Sequence, residues 1–181
     1  HHLPLLTQTF PHSDIYMLAY RGYGASEGQP SEPLLTQDAV ALFDEVRHLH
    51  PQQPITVIGR SLGTGVASAV AELRQPDQLV LITPFDSMLN TVRGMYGWLP
   101  VKLLLRDPFD SAAHLQGYSG PILVLRASHD DTVAPARTDA LLASLKGKAV
   151  EVLTLPHTGH SSILRAPALW DAVARFANPA G

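Results

Sequence analysis

Five short apolar runs alternate with segments of helical periodicity, and this alternation constrains the fold more strongly than any other feature. The predicted strands cover residues 15–19, 55–58, 79–82, 122–126 and 150–155. The predicted helices cover residues 3–10, 34–49, 65–73, 136–145 and 167–176. Strands that are apolar throughout and alternate with helices favour a mostly parallel sheet with helices on both faces. We therefore predict an α/β fold in a single domain spanning residues 1–181.

The composition excludes several classes of protein. Hydrophobic residues make up 45% of the chain and charged residues 16%, which is typical of a globular domain rather than a disordered one. The formal net charge of −3 comes without a basic block, so we expect no nucleic-acid partner. No apolar run reaches the roughly 18 residues of a membrane span, and we expect no transmembrane segment in this chain. The absence of cysteine excludes disulfides and a thiol nucleophile, and it leaves the compartment open.

The segment Gly59-Arg60-Ser61-Leu62-Gly63 has the pattern G-x-S-x-G at a predicted strand-to-helix junction. A serine on so tight a turn has strained backbone angles, and side chains at the flanking positions would collide. The turn raises the serine hydroxyl above the sheet and aims the first N–H groups of the next helix at the reaction centre. Ser61 is therefore the candidate nucleophile, and the Leu62 N–H is a candidate oxyanion donor. The alternative is a glycine-rich turn with a solvent-facing serine.

Acids and histidines occupy the other loops at the carboxyl ends of the predicted strands, where parallel sheets bind their ligands. Asp130 and Asp131 follow the fourth predicted strand, and His157 and His160 follow the fifth. One edge of the sheet therefore offers a serine, then an acid, then a histidine in chain order. That order differs from the orders of chymotrypsin and subtilisin and is expected of the α/β-hydrolase triad.

These motifs resemble the α/β-hydrolase superfamily, in particular its small serine hydrolases with little or no lid, which include acyl-protein thioesterase-like and serine aminopeptidase-like members. Besides the serine turn, the matching strings are Tyr20-Arg21-Gly22-Tyr23-Gly24-x-Ser26-x-Gly28, Pro84-Phe85-Asp86-Ser87, Asp130-x-x-Val133 and Gly159-His160. Together they cover nearly the whole chain.

The resemblance implies a triad of Ser61 as nucleophile, Asp130 as acid and His160 as base. In such a triad the histidine takes the serine proton, while the acid fixes the imidazole tautomer and stabilises its cation. Asp131 and His157 remain the alternatives for acid and base. The family's oxyanion loop follows a strand before the first helix, and this sequence opens on that helix. We therefore expect the N-terminal strands to be missing from this chain, and the second oxyanion donor either is missing with them or comes from elsewhere.

The apolar stretch between residues 86 and 120 is the candidate substrate region. We interpret it as a possible small cap-like insertion that lines an acyl or lipid-facing groove, against the alternative of a helix packed on the core. The candidate substrate-lining residues are Arg60, Phe85, Tyr96 and Trp98. For Arg60, which lies inside the serine turn, a structural salt bridge is an equal alternative to contact with a charged end of the substrate.

The function predicted by these residues is hydrolysis of a carboxylic ester or thioester through an acyl-enzyme intermediate. The substrate would be a small-molecule or lipid-like acyl ester or thioester, with no cofactor, since serine, histidine and aspartate suffice. A metal site formed by His129, Asp130, His157 and His160 is the weaker interpretation, because no H-x-x-x-H or similar ligand spacing is present. The competing functions are a non-catalytic binding or scaffold protein on a hydrolase fold, and a serine peptidase.

Overall fold

The computed structural model of the chain describes residues 3–95 and 107–178, and a four-stranded parallel sheet lies at its centre. The strands are β1 (Thr56–Arg60), β2 (Gln78–Ile82), β3 (Ile122–Ala127) and β4 (Val150–Leu155), and they lie side by side in chain order. Gly59 is in register with Leu81, Leu81 with Val124, and Val124 with Val152. The predicted α/β architecture is confirmed, and all three strand pairs are parallel.

Helices connect and cover the strands. In chain order they are α1 (Leu3–Thr9), α2 (Glu32–Leu49), α3 (Leu62–Arg74), α4 (Met88–Met95), α5 (Ser111–His114), α6 (Pro135–Ser144) and α7 (Pro167–Ala177). A short 3₁₀ helix, Ser162–Arg165, precedes α7. Each predicted helix is present, and its bounds differ from the prediction by at most three residues. None of the helices in the described part of the chain is both long and apolar enough to cross a membrane.

The alternation of side chains along β2 and β3 builds two cores, one on each face of the sheet. Val80 and Ile82 face a cluster that includes Trp170 and Val173 of α7. Leu79 and Leu81 belong to a second cluster, which is completed by residues of α3, α5 and α6. Because side chains of a strand point alternately to opposite faces, a continuous apolar run is what a strand covered on both sides requires.

Residues 15–19 do not form the strand predicted for them. The segment has no ladder with β1, which pairs only with β2 among the described residues. Tyr16 and Met17 are 43% and 61% exposed, and the Tyr16 hydroxyl lies 2.8 Å from Nε2 of His50. An apolar run indicates strand propensity but does not supply a hydrogen-bonding partner, and without a partner no sheet forms. Ile58 of β1 is in register with Val80, whose cluster Ile15 also contacts, and it is 41% exposed.

Candidate active site

The turn between β1 and α3 has the strained geometry expected of a nucleophile elbow. Ser61 has φ 50° and ψ −122°, a left-handed conformation that side chains rarely adopt. A Cβ on Gly59 would lie 2.7 Å from the Ala67 Cβ and collide with the Gly63 carbonyl, so only glycine fits there. The turn is fixed on both sides of the serine, because Ser61 N–H donates to the Ile82 carbonyl and Ser61 C=O accepts from Thr64.

Ser61, His160 and Asp130 form one hydrogen-bonded chain at the carboxyl edge of the sheet. Nε2 of His160 lies 2.9 Å from Oγ of Ser61. Nδ1 of the same ring lies 3.0 Å from both carboxylate oxygens of Asp130. The side chains of His160 and Asp130 are 10% and 6% exposed, so their pairing is largely shielded from water. A hydroxyl, an imidazole and a buried carboxylate in this order can activate the hydroxyl as a nucleophile.

The structure separates the two candidate acids and the two candidate bases by their contacts. Oδ1 of Asp130 accepts backbone N–H groups from Thr132 and Val133 at 3.0 and 2.7 Å, which orients the carboxylate toward His160. Asp131 is exposed, and its carboxylate accepts from the Thr132 hydroxyl at 3.3 Å instead of from a histidine. His157 stacks on His129 with ring centroids 6.4 Å apart, away from the Ser61 hydrogen bond.

The N-terminus of α3 lies directly behind the serine. Leu62 is the first residue of this helix, so its N–H has no acceptor within the helix and is free for an oxyanion. Tyr20 packs close by, since a Cβ on Gly63 would lie 3.2 Å from the Tyr20 hydroxyl. Burial, and to a lesser extent the charge on Tyr23, raises the pKa of Tyr20, which keeps this hydroxyl protonated beside the elbow.

An apolar cleft of about 190 Å³ opens next to Leu62. Its apolar walls are Leu35 of α2, Met88 of α4 and Phe109, with Tyr23 at its margin. The Phe109 wall is held in place because Phe109 N–H donates to Glu32 and Glu32 N–H donates to Asp107. A Cβ on Gly65 would lie 2.9 Å from Phe109, so glycine at that position lets the ring pack against α3. The cleft therefore has walls from four separate parts of the chain.

The predicted substrate-lining residues have different positions. Arg60 donates from Nη2 to the carbonyl oxygen of His160 at 3.0 Å, and no ion pair among the described residues includes it. Phe85 is 1% exposed and packs within the apolar cluster beneath the elbow. Tyr96 and Trp98 lie outside the described residues, as does part of the 86–120 region. Contact of these four side chains with a substrate stays a prediction, and so does the cap-like insertion.

The walls of the cleft were missed by sequence reasoning. Leu35, Met88 and Phe109 come from positions far apart in the chain and read as ordinary core residues. The only local signal was at Gly65, where a glycine inside a helix indicates close packing. Within residues 3–95 and 107–178, no group of three or more histidine or acidic side chains is placed to hold a metal ion.

Comparison with known proteins identifies the family of the chain. The family model described as serine aminopeptidase, S33 matches residues 9–106, just over half of the chain. The chain belongs to this family of α/β hydrolases. The match covers the elbow and β2, and it ends before the loops that carry Asp130 and His160. The resemblance to small serine hydrolases predicted from the motifs is confirmed.

The individual relatives of the chain are longer proteins. The uncharacterized protein Rv2307c of Mycobacterium tuberculosis is 33% identical over 166 residues, covering 90% of this chain and 59% of that protein. Lysophosphatidylserine lipase ABHD12 of Danio rerio is 30% identical over 185 residues, covering 87% of this chain and 48% of that protein. The chain thus spans about half to three fifths of the length of these relatives. The solved structure of an α/β serine hydrolase homologue from Coxiella burnetii has the same fold, with a TM-score of 0.65 at 20% identity over 86% of this chain and 65% of that one.

Proposed function

We propose that this chain is a serine hydrolase that cleaves carboxylic esters or thioesters of a lipid-like acyl group through an acyl-enzyme intermediate. The observation that carries the proposal is the continuous hydrogen-bonded chain from Ser61 through His160 to Asp130. Membership of a hydrolase family supports the same chemistry. A relative named as a lysophosphatidylserine lipase supports a lipid-like ester as substrate.

In the proposed mechanism the chain's own residues carry both half-reactions. His160 removes the Ser61 proton as Oγ attacks the acyl carbonyl, and Asp130 stabilises the imidazolium that results. The Leu62 N–H donates to the oxyanion of the tetrahedral intermediate. His160 then protonates the leaving alcohol or thiol. In the second half, the same imidazole takes a proton from water, which attacks the acyl-enzyme, releases the carboxylic acid and restores Ser61.

The cleft beside Leu62 is the proposed site for the acyl chain. It lies next to the residue whose N–H would hold the oxyanion, and most of its lining is apolar, with Ser31 and Asp107 as the polar exceptions. A protein cavity of about 150 Å³ holds one benzene molecule, so a cleft of about 190 Å³ suits an acyl chain of about six to eight carbons. Each buried methylene contributes about 0.8 kcal/mol, which favours hexanoyl and octanoyl over acetyl esters.

Two measurements on the purified chain test the proposal. A fluorophosphonate probe is expected to label Ser61 in the wild type and to leave Ser61→Ala unlabelled. Among p-nitrophenyl esters, kcat/KM is expected to rise about 10-fold or more from acetyl to hexanoyl. Absence of labelling would favour the alternative of a binding or scaffold protein, whereas labelling with a preference confined to acetyl would refute only the acyl-chain site.

A matched pair of variants tests the cleft itself. Met88→Trp fills the cleft and is expected to remove most of the preference for hexanoyl over acetyl, while acetyl turnover stays within about threefold of wild type. Met17→Trp makes the same change at a side chain that is 61% exposed, and its chain-length profile is expected to match the wild type. If both variants keep the wild-type profile, the acyl chain binds elsewhere.

The family description supplies a second candidate, cleavage of N-terminal peptide bonds. Aminoacyl p-nitroanilides compared with p-nitrophenyl esters at equal concentration separate the two functions. We expect ester turnover to exceed anilide turnover by at least about 100-fold, because most of the cleft lining is apolar and its one carboxylate, Asp107, already accepts the Glu32 N–H at 2.8 Å. A faster anilide reaction would assign the chain to the peptidases.

A further inference from the structure

We infer that Arg60 is a positioning residue that fixes the loop of the base, His160, against the nucleophile elbow. Arg60 is the last residue of β1, immediately before Ser61. Its Nη2 donates to the backbone carbonyl of His160 at 3.0 Å, across a sequence separation of 100 residues. The inference rests on the proposed function, since it concerns how the triad is held together.

The need for such an anchor follows from the sheet topology. His160 follows β4, while Ser61 follows β1, and β2 and β3 lie between them. With neighbouring strands about 4.8 Å apart, the base reaches the nucleophile across roughly 14 Å of sheet edge. The segment that carries His160 is tied to the Asp130 side, because His129 N–H donates to the Thr158 carbonyl at 2.8 Å. On the Ser61 side, the hydrogen bond from Arg60 to the His160 carbonyl holds the same segment.

The contacts of Arg60 argue against an ordinary salt bridge. Among the described residues its guanidinium has no carboxylate partner, and its Nε is buried without a hydrogen-bond partner. A charged donor makes a stronger hydrogen bond to a carbonyl than a neutral one does, and the rigid fork of a guanidinium holds its direction. The charged side chain of Arg60 thus donates to the backbone carbonyl of His160 and not to a carboxylate.

The hydrogen bond from Arg60 to the His160 carbonyl involves the backbone, whereas the contacts of His160 with Ser61 and Asp130 involve its imidazole ring. The Ser61 contact changes during the proposed reaction, because Oγ becomes an ester oxygen in the acyl-enzyme. The carbonyl acceptor of Arg60 is untouched by acylation and by protonation of the imidazole. Arg60 therefore holds His160 in place for both half-reactions, and a displacement of about 1 Å in such a group can cost about 100-fold in rate.

The test compares variants of Arg60 with the same changes at Arg126, which is also near the carboxyl end of a strand but pairs with Asp139 on α6. Arg60→Met removes the donor and is expected to lower kcat for p-nitrophenyl hexanoate by about 10- to 100-fold, with KM within about threefold of wild type. Arg60→Lys keeps a charged donor and is expected to recover part of the loss. Arg126→Met and Arg126→Lys are expected to stay within about twofold of wild type in both constants.

The rate of fluorophosphonate labelling separates the possible failures. If wild-type Ser61 is not labelled, the proposed function is wrong and the inference falls with it. If the wild type is labelled and Arg60→Met reacts at the same rate, only the role of Arg60 is refuted. Should Arg60→Met fail to fold, the labelling rates of Arg60→Lys and Arg126→Lys are compared instead. Labelling about three- to tenfold slower than wild type in Arg60→Lys alone supports the positioning role of Arg60. Equal labelling rates in the two variants overturn it.

Discussion

At the carboxyl edge of the sheet, strands lead into strained backbone and a buried ionisable pair, whereas at the amino edge side chains satisfy the backbone with hydrogen bonds. Three residues beyond β1, β2 and β4 have positive φ although they are not glycine: Ser61 at 50°, Thr83 at 51° and His157 at 56°. Conformations of this kind cost about 1–3 kcal/mol each and are retained where the surrounding structure imposes them. Among the described residues these are three of five such positions; of the other two, Gln75 caps α3 before β2 and Phe109 lines the cleft. The positive φ values that follow strands therefore lie at the edge where Ser61, His160 and Asp130 meet.

The amino edge has the opposite character. The Tyr118 hydroxyl, on a fully buried ring, donates to the Pro76 carbonyl at 3.0 Å just before β2. Asp77 accepts the Ile55 N–H at 2.9 Å and Arg47 at 2.8 Å just before β1 and β2. Although burial pushes the pKa of Asp77 upward, these hydrogen bonds bring it below its ordinary value. Groups at this edge stabilise the fold and lie on the side of the sheet remote from the triad, so changes there should alter stability and leave turnover intact.

The largest effect on stability is expected for Gly120→Ala at the amino edge. A new Cβ would lie 2.5 Å from Cζ of Tyr118 and closer still to its hydroxyl. The ring cannot move aside cheaply, because it is fully buried and hydrogen-bonded. We expect a loss of about 3 kcal/mol in the free energy of unfolding, measured by urea denaturation, with kcat of the folded fraction unchanged.

Gly117→Ala is the matched control for that change. Its Cβ would lie 3.3 Å from Cγ of Glu72, an exposed side chain that can shift at the cost of its surface contact with His114. We expect a change of less than about 1 kcal/mol. If Gly120→Ala lowers kcat of the folded protein while leaving stability intact, the division between the two edges is wrong.

Four of the five predicted strands and the candidate triad could be predicted from local patterns. Apolar runs, glycines and the chain order of Ser61, Asp130 and His160 can be recognised in the sequence without knowledge of distant contacts. The bounds 150–155 were predicted without error, since β-branched residues occupy every second position of this run and Pro156 follows it. The prediction failed at residues 15–19, where a strand depends on a partner that an apolar run does not specify. It also missed the Arg60 to His160 contact, because that bond depends on side-chain conformation across 100 residues of chain.

At the carboxyl edge we expect a smaller effect on the free energy of unfolding, in which glycine is more stable than alanine because of backbone strain. Ser61→Gly and Ser61→Ala both remove the hydroxyl, so the difference between them isolates the backbone strain at φ 50°. Glycine relieves strain of about 1–3 kcal/mol and loses about 0.5–1 kcal/mol to its greater freedom in the unfolded chain. We therefore expect Ser61→Gly to be more stable than Ser61→Ala by about 1 kcal/mol in urea denaturation, with both inactive.

Ser128 is the control for that comparison, since it follows β3 at the same edge and is not among the residues with positive φ. There glycine is expected to be less stable than alanine, by about 0.5 kcal/mol. If glycine is favoured to the same extent at both serines, the stabilisation at position 61 does not come from a strained elbow.

The effect of Tyr118→Phe on stability is of similar size at pH 8, and it changes with pH. Loss of the hydrogen bond to Pro76 should cost about 1 kcal/mol at pH 8.

Burial, and secondarily the charge of Asp77, raises the pKa of Tyr118 to about 12 from 10.0. Between these two values the unfolded chain loses the tyrosine proton while the folded chain keeps it, so the wild type loses stability as the pH rises. Phenylalanine has no such proton, so the stability gap between wild type and variant should narrow above pH 10 and reverse in sign before pH 12. Tyr23→Phe, at a side chain 51% exposed, is expected to match the wild type at pH 8. A gap that stays constant up to pH 12, measured by urea denaturation followed by circular dichroism, would mean that the Tyr118 hydroxyl is not held protonated by the amino edge.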